Sequence, residues 1–179
     1  MEIGKKELTR RTIMRAARGV YEEQGVENTN FRDIAEAAGV SRSTVFNYFA
    51  GADELLRALC GREIDDLEKA YRESGHRGKE GIVCIFDKFI EDTARYPQLV
   101  TQIIYSTIMS GNENNPLKAI EGLIARNLDY DPSGETTMLL MGAYYGVINH
   151  HHLYNQPFNG EEMKVEMRKM IDRIIGDPE

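Results

Sequence analysis

The chain has 179 residues, of which 41% are hydrophobic and 28% charged, enough for one domain, or two at most, to bury a core without covalent staples. Its formal net charge is −7 and its isoelectric point about 5.2, an average that argues against a phosphate-rich partner. No run of about 18 apolar residues suits a spanning helix, Met1 to Arg11 is charged where a signal peptide is apolar, and Cys60 and Cys84 lack metal-type spacing. Membrane and secreted disulfide-rich classes are therefore set aside, and a cytoplasmic location is expected.

Helical periodicity runs from end to end. Ile13, Ala16, Ala17 and Val20 fall on one helix face, as do Phe31, Ile34, Ala35 and Ala38. Leu56, Leu59, Cys60, Ile64, Leu67 and Tyr71 mark a longer helix. Ile82, Ile85, Phe86, Phe89 and Ile90 mark the next, followed by Leu99, Val100, Ile103, Ile104 and Ile108. Met138 to Ile148 is apolar nearly all round, which predicts a helix buried on every side. Met163, Met167, Met170, Ile171 and Ile174 close the series. Gly25, Gly39, Gly75 and Gly78 punctuate these segments, Pro97 and Pro116 open two of them, and Asp131 to Gly134 reads as a turn. The expected fold is all-α with about nine helices and no strand.

Charge divides unevenly. Residues 1 to 50 hold eight basic and seven acidic side chains, and residues 51 to 179 hold 14 and 22. The acidity belongs to the larger part, while Lys5, Lys6, Arg10, Arg11, Arg15 and Arg18 cluster in the smaller one. The expected division is a small N-terminal domain over residues 1–51 and a larger helical body over residues 52–179.

The informative stretch is NFRDIAEAAGVSRSTVFNYF, residues 30–49. Asn30 is an N-cap, with Asp33 in the first turn of a short helix. Gly39 supplies a turn, Val40 plugs the small core, and Ser41 caps a second helix whose Val45 and Phe49 face inward. Helix, short turn, helix is the arrangement that lays its second helix in a major groove. Arg42 can read guanine and Asn47 adenine. Ser43, Thr44 and Tyr48 can donate to phosphates.

The text RRTIMRAARGVYEEQGVENTNFRDIAEAAGVSRSTVFNYF, followed by DELLRAL, resembles the tetracycline-repressor (TetR/AcrR-like) transcription regulators over the first third of the chain. The resemblance implies a homodimer, a three-helix helix-turn-helix domain and a C-terminal domain for effector binding and dimerisation. It implies DNA contacts by Asn30, Arg32, Ser41, Arg42, Ser43, Thr44, Phe46, Asn47 and Tyr48. Two residues depart from the family pattern. Phe46 stands where a tyrosine is usual, and Ala52 where a lysine usually holds a phosphate. Each lost phosphate contact weakens binding and lowers its salt dependence by about one unit of slope. Lys5, Lys6, Arg10 and Arg11 are candidates to compensate, or form a solvated basic end.

In the body, Met138, Gly142, Gly146, Met163, Met167, Met170, Ile171 and Ile174 are the expected dimer interface; the alternative is that both helices complete the chain's own core. Phe86, Phe89, Ile90, Tyr105, Met109, Met141, Tyr145 and Asn149 are the candidate effector pocket, suited to an apolar or aromatic small molecule. His150, His151 and His152 point about 100° apart on a helix and so do not share one ion. The cysteines read as small buried hydrophobes. No metal or cofactor is expected.

The leading expectation is a repressor released from a palindromic operator by a small-molecule effector. An effector-independent structural DNA-binding protein and an activator are the alternatives. Enzyme signatures (GxSxG, P-loop, HExxH) are absent from the sequence.

Overall fold

A computed structural model describes residues 4–109, 115–129 and 131–176; Met1 to Ile3 of the basic N-terminal stretch lie outside them. Among the described residues there are nine helices and no strand. They are α1 (Lys5–Gln24), α2 (Phe31–Ala38), α3 (Arg42–Tyr48), α4 (Ala52–Ser74), α5 (Gly78–Arg95), α6 (Pro97–Met109), α7 (Leu117–Ala125), α8 (Glu135–Leu153) and α9 (Gly160–Ile175). None of the helices described is long and apolar enough to cross a membrane.

The helices gather into two compact units. The first comprises Met1–Glu63 and Gln98–Ser106, the second Ile64–Pro97 and Thr107–Glu179. The expected boundary after residue 51 falls at the start of α4, inside the first unit. That unit takes in the first half of α4 and most of α6 as well as the helix-turn-helix.

In the first unit, α1 buries Ile13, Met14, Ala17, Val20 and Tyr21, a stripe at helical spacing. It packs on α2, which packs on α3. Ile34 and Val45 are fully buried, Phe49 nearly so. Glu22 on α1 accepts hydrogen bonds from the backbone N–H groups of Gln98 (3.3 Å) and Leu99 (2.9 Å), satisfying donors that the first turn of α6 leaves open. Arg18 pairs with Glu63. The Tyr21 hydroxyl is buried and has no hydrogen-bond partner among the described residues; burial pushes its pKa up to about 12.

In the second unit, α9 packs on both α5 and α8. Met163, Met167 and Ile171 on α9 are buried with Ile82, Ile85, Phe86 and Ile90 on α5 and with Leu140, Met141, Tyr144, Val147 and Ile148 on α8. Three ion pairs tie the rims of α5 and α9: Lys79–Asp172 (2.8 Å), Lys164–Glu91 (2.9 Å) and Arg168–Asp87 (2.5 Å). Gly81 lies so close to Asn127 that a Cβ there would clash with its Oδ1. Asn127 cannot yield easily, because its side chain accepts from the Tyr71 hydroxyl and donates to the Leu123 carbonyl. Asp131 caps α8, accepting from the N–H groups of Thr136 and Thr137 and from the Thr137 hydroxyl; those bonds hold its carboxyl below the usual range.

Two expectations change here. Met163, Met167 and Ile171 lie within the chain's own interior, so they have no surface to offer a second copy; Met170 and Ile174 are half-buried. The α8 helix is not buried on every side of the chain. Met138 and Leu139 are 63% and 53% exposed, and Gly142, Gly146 and Leu153 lie open on the same helix. Hydropathy marks both faces of α8 as apolar, and packing against α5, α7 and α9 leaves one of them largely open.

Candidate nucleic-acid interface

Local chemistry fixes the shape of α2 and α3. The Asn30 side chain accepts from the N–H groups of Arg32 (2.8 Å) and Asp33 (3.4 Å), and the Asp33 carboxylate accepts from the Asn30 N–H (3.0 Å). This reciprocal box starts α2 where the sequence places it. Gly39 ends α2 with φ of 65°, a left-handed conformation that costs a residue with a Cβ about 1–2 kcal/mol. The Val40 N–H then returns to the Ala35 carbonyl at 3.0 Å. Ser41 Oγ accepts from the Thr44 N–H (3.1 Å) and shares hydrogen bonds with the hydroxyls of Ser43 and Thr44, both at 2.8 Å. The seven-residue α3 is thus capped at its start and anchored by Val45.

What α3 turns outward is a short polar face. Arg42, Ser43, Phe46 and Asn47 are exposed; Thr44 and Tyr48 are half-buried. Asn30 and Ser41 are exposed, but each already uses its side-chain oxygen as a cap. They position the two helices before they can position DNA. Arg32 is exposed on the first turn of α2. Phe46 packs against Phe31 with ring centroids 4.9 Å apart, and the Arg42 guanidinium sits 5.3 Å from the Phe46 ring centre.

The flanking cations divide. Lys5 and Lys6 are exposed. Arg10 lies 5.1 Å over the Phe49 ring and donates to the Met14 sulfur. Arg11 pairs with Glu7 at 2.8 Å, and that hydrogen bond holds the Glu7 carboxyl below its usual range. At the start of α4, Glu54 accepts from the Ala50 N–H at 2.7 Å. Ala52 is therefore followed by two exposed acidic residues, Asp53 and Glu54, in the first turn.

The expected effector pocket is dispersed. Phe86, Ile90 and Met141 are core; Phe89 and Tyr145 are half-buried; Asn149 is exposed. Met109 is 81% exposed, and Tyr105, nearly half exposed, belongs to the first unit. Sequence reasoning missed Tyr144. Its ring lies 5.1 Å from Phe89 and 6.0 Å from Phe86 and is almost wholly buried. Thr93 donates its hydroxyl proton to the Phe89 carbonyl, so Tyr144 donates to Thr93 at 2.7 Å. Burial pushes the Tyr144 hydroxyl far up, and that of Tyr145 to about 12. A separate groove of about 310 Å³ runs along α7 and α8, lined by Lys118, Glu121, Gly122, Ala125, Gly134, Thr137 and Met138.

The three histidines diverge. His151 is buried, with Nδ1 3.0 Å from the Pro157 carbonyl and Nε2 3.4 Å from Glu166. His150 lies against Tyr154 and His152 against Phe158. Among the described residues no three ligating side chains gather as a metal site. Cys60 is buried and Cys84 half-buried.

Residues 13–59 match the family model of bacterial regulatory proteins of the tetR family. The chain is 31% identical over 91 residues to the HTH-type transcriptional repressor AcnR of Corynebacterium efficiens, covering 51% of this chain and 45% of that one. It is 44% identical over 70 residues to the HTH-type transcriptional repressor LfrR of Mycolicibacterium smegmatis, covering 39% and 35%. The chain thus spans less than half the length of these two relatives. The solved structure of Salmonella enterica GusR superposes with a TM-score of 0.70 at 19% identity, covering 99% of this chain and all of the other. That likeness establishes the fold.

Proposed function

From the match of residues 13–59 to the tetR-family model we propose that these residues form a DNA-binding domain and that the chain is a dimeric transcriptional repressor that leaves its operator when a small molecule binds the body. The observation that carries this is the outer face of α3. A helix held by its own cap presents Arg42, Ser43 and Asn47 together and exposed, the side-chain types that pair with base edges in a major groove. A dimer sets two such helices about 34–36 Å apart, one turn of DNA, on a palindromic site. The exposed apolar face of α8 supports pairing, since a face carrying Met138, Leu139, Gly142, Gly146 and Leu153 gains from being covered. A regulator of bacterial operators works in the cytoplasm and needs no catalytic centre.

The direct experiment selects duplexes from a randomised DNA pool with the full chain. Arg42→Ala and Asn47→Ala together should abolish sequence-selective binding while leaving the melting curve unchanged; retained selectivity overturns the assignment. One observation favours the alternative without an effector: the buried Tyr144 ring packs against both Phe86 and Phe89, two of the expected lining residues. A thermal-shift screen of apolar and aromatic compounds separates the two. A ligand of the folded state raises its stability, and an effector-responsive repressor also releases the selected duplex.

A further inference from the structure

Phe46 breaks the usual pattern of its helix. It leaves 47% of its surface open on the side of α3 that otherwise carries polar groups, forgoing the burial that a large apolar ring normally gains. A single exposed apolar residue is ordinary, but this ring is held in place. Phe31, the buried first residue of α2, packs against it at 4.9 Å, and the Arg42 guanidinium, one helical turn earlier, lies 5.3 Å from its centre. The capping box at Asn30 and Asp33 fixes Phe31 in turn. A stacked guanidinium is also a restricted one, so the ring and the cation orient each other. The exposed neighbours Arg42, Ser43 and Asn47 all carry groups that hydrogen-bond.

A B-form major groove displays donors and acceptors and one apolar group, the C5-methyl of thymine. We propose that Phe46 is a specificity-determining residue that reads a thymine methyl beside the base pair engaged by Arg42. The inference rests on the DNA-binding reading and deepens it. The missing hydroxyl at this position then replaces a polar contact with an apolar one. Cytosine in that place would set its amino group against the ring. Uracil would present the same hydrogen-bonding edge with no methyl to cover.

The test uses duplexes selected by the full chain from a randomised pool, with each thymine replaced singly by deoxyuridine. The expected result is one position in each half-site where losing the methyl weakens binding about fourfold. Phe46→Ala should bind the thymine and uracil duplexes equally well. Phe46→Tyr, which keeps the ring, should retain the difference, and melting curves report whether each variant folds. The uracil scan on the unmutated chain stands without any variant. A selected duplex indifferent to every uracil overturns the inference, and so does a methyl effect that survives in a folded Phe46→Ala. Failure to select any duplex overturns the DNA-binding reading instead.

Discussion

The outer faces of α3 and α8 are both open to solvent, and their chemistry is opposite. The first carries Arg42, Ser43 and Asn47 on a seven-residue helix, the second Met138, Leu139, Gly142, Gly146 and Leu153 on a helix of 19 residues. The short helix is held by residues in or beside it: the Ser41 cap, the Gly39 turn before it and the buried Val45. The long one is held by its buried face, which packs on α9 and contributes to a core shared with α5. A polar face suits a hydrated, charged partner and an attraction that falls with salt. An apolar face suits another apolar face, where salt has little leverage.

The sharpest way to break this comparison is within α9, whose two sides differ most. Met167→Ala should cost about 2–5 kcal/mol in thermal or denaturant melting, because Met167 is 1% exposed. Val165→Ala on the exposed side of the same helix should stay within about 0.5 kcal/mol. Equal effects would mean that α9 is not packed as described. On α8, Leu139→Glu should turn a sedimenting dimer into a monomer at micromolar concentration while melting of the monomer is preserved. On α3, Arg42→Ala should remove about 1–3 kcal/mol of discrimination at one base pair, read by competition between duplexes, with no loss of stability. Ser41→Ala should lower stability by about 1 kcal/mol, since α3 loses the cap on the Thr44 N–H. The smallest effect belongs to Tyr21→Phe. Removing a buried, unpartnered hydroxyl should leave the melting temperature unchanged or raise it slightly; a clear drop would reveal a partner for that hydroxyl.

The same contrast explains what could be read from the sequence. Asn30, Asp33, Gly39 and Ser41 act within a few residues of themselves, so their types and spacing mark the caps and bounds of α2 and α3. Met163, Met167 and Ile171 also stood out, by period. Period says only that a stripe is covered, and whether α5 or a second chain covers it depends on residues some 80 positions away. Tyr144 and Tyr145 are adjacent in an apolar run with no polar residue to mark an outside. Which of them turns inward is settled by Thr93, 51 residues earlier. Phe46 was visible as a missing hydroxyl; its hold between Phe31 and Arg42 emerged only from the packing of α2 against α3.

The acidic first turn of α4 bears on how the proposed repressor would find its site. With Ala52 in place of a cation, and Asp53 and Glu54 behind it, this corner adds nothing to the sequence-blind grip on phosphates. A genome holds about a million or more competing sites, and every such grip lengthens the stay on each of them. A protein that clings less spends less time parked on the wrong DNA. On the proposed reading, more of its copies are then available to the operator, and occupancy would rest on the bases proposed for Arg42 and its neighbours.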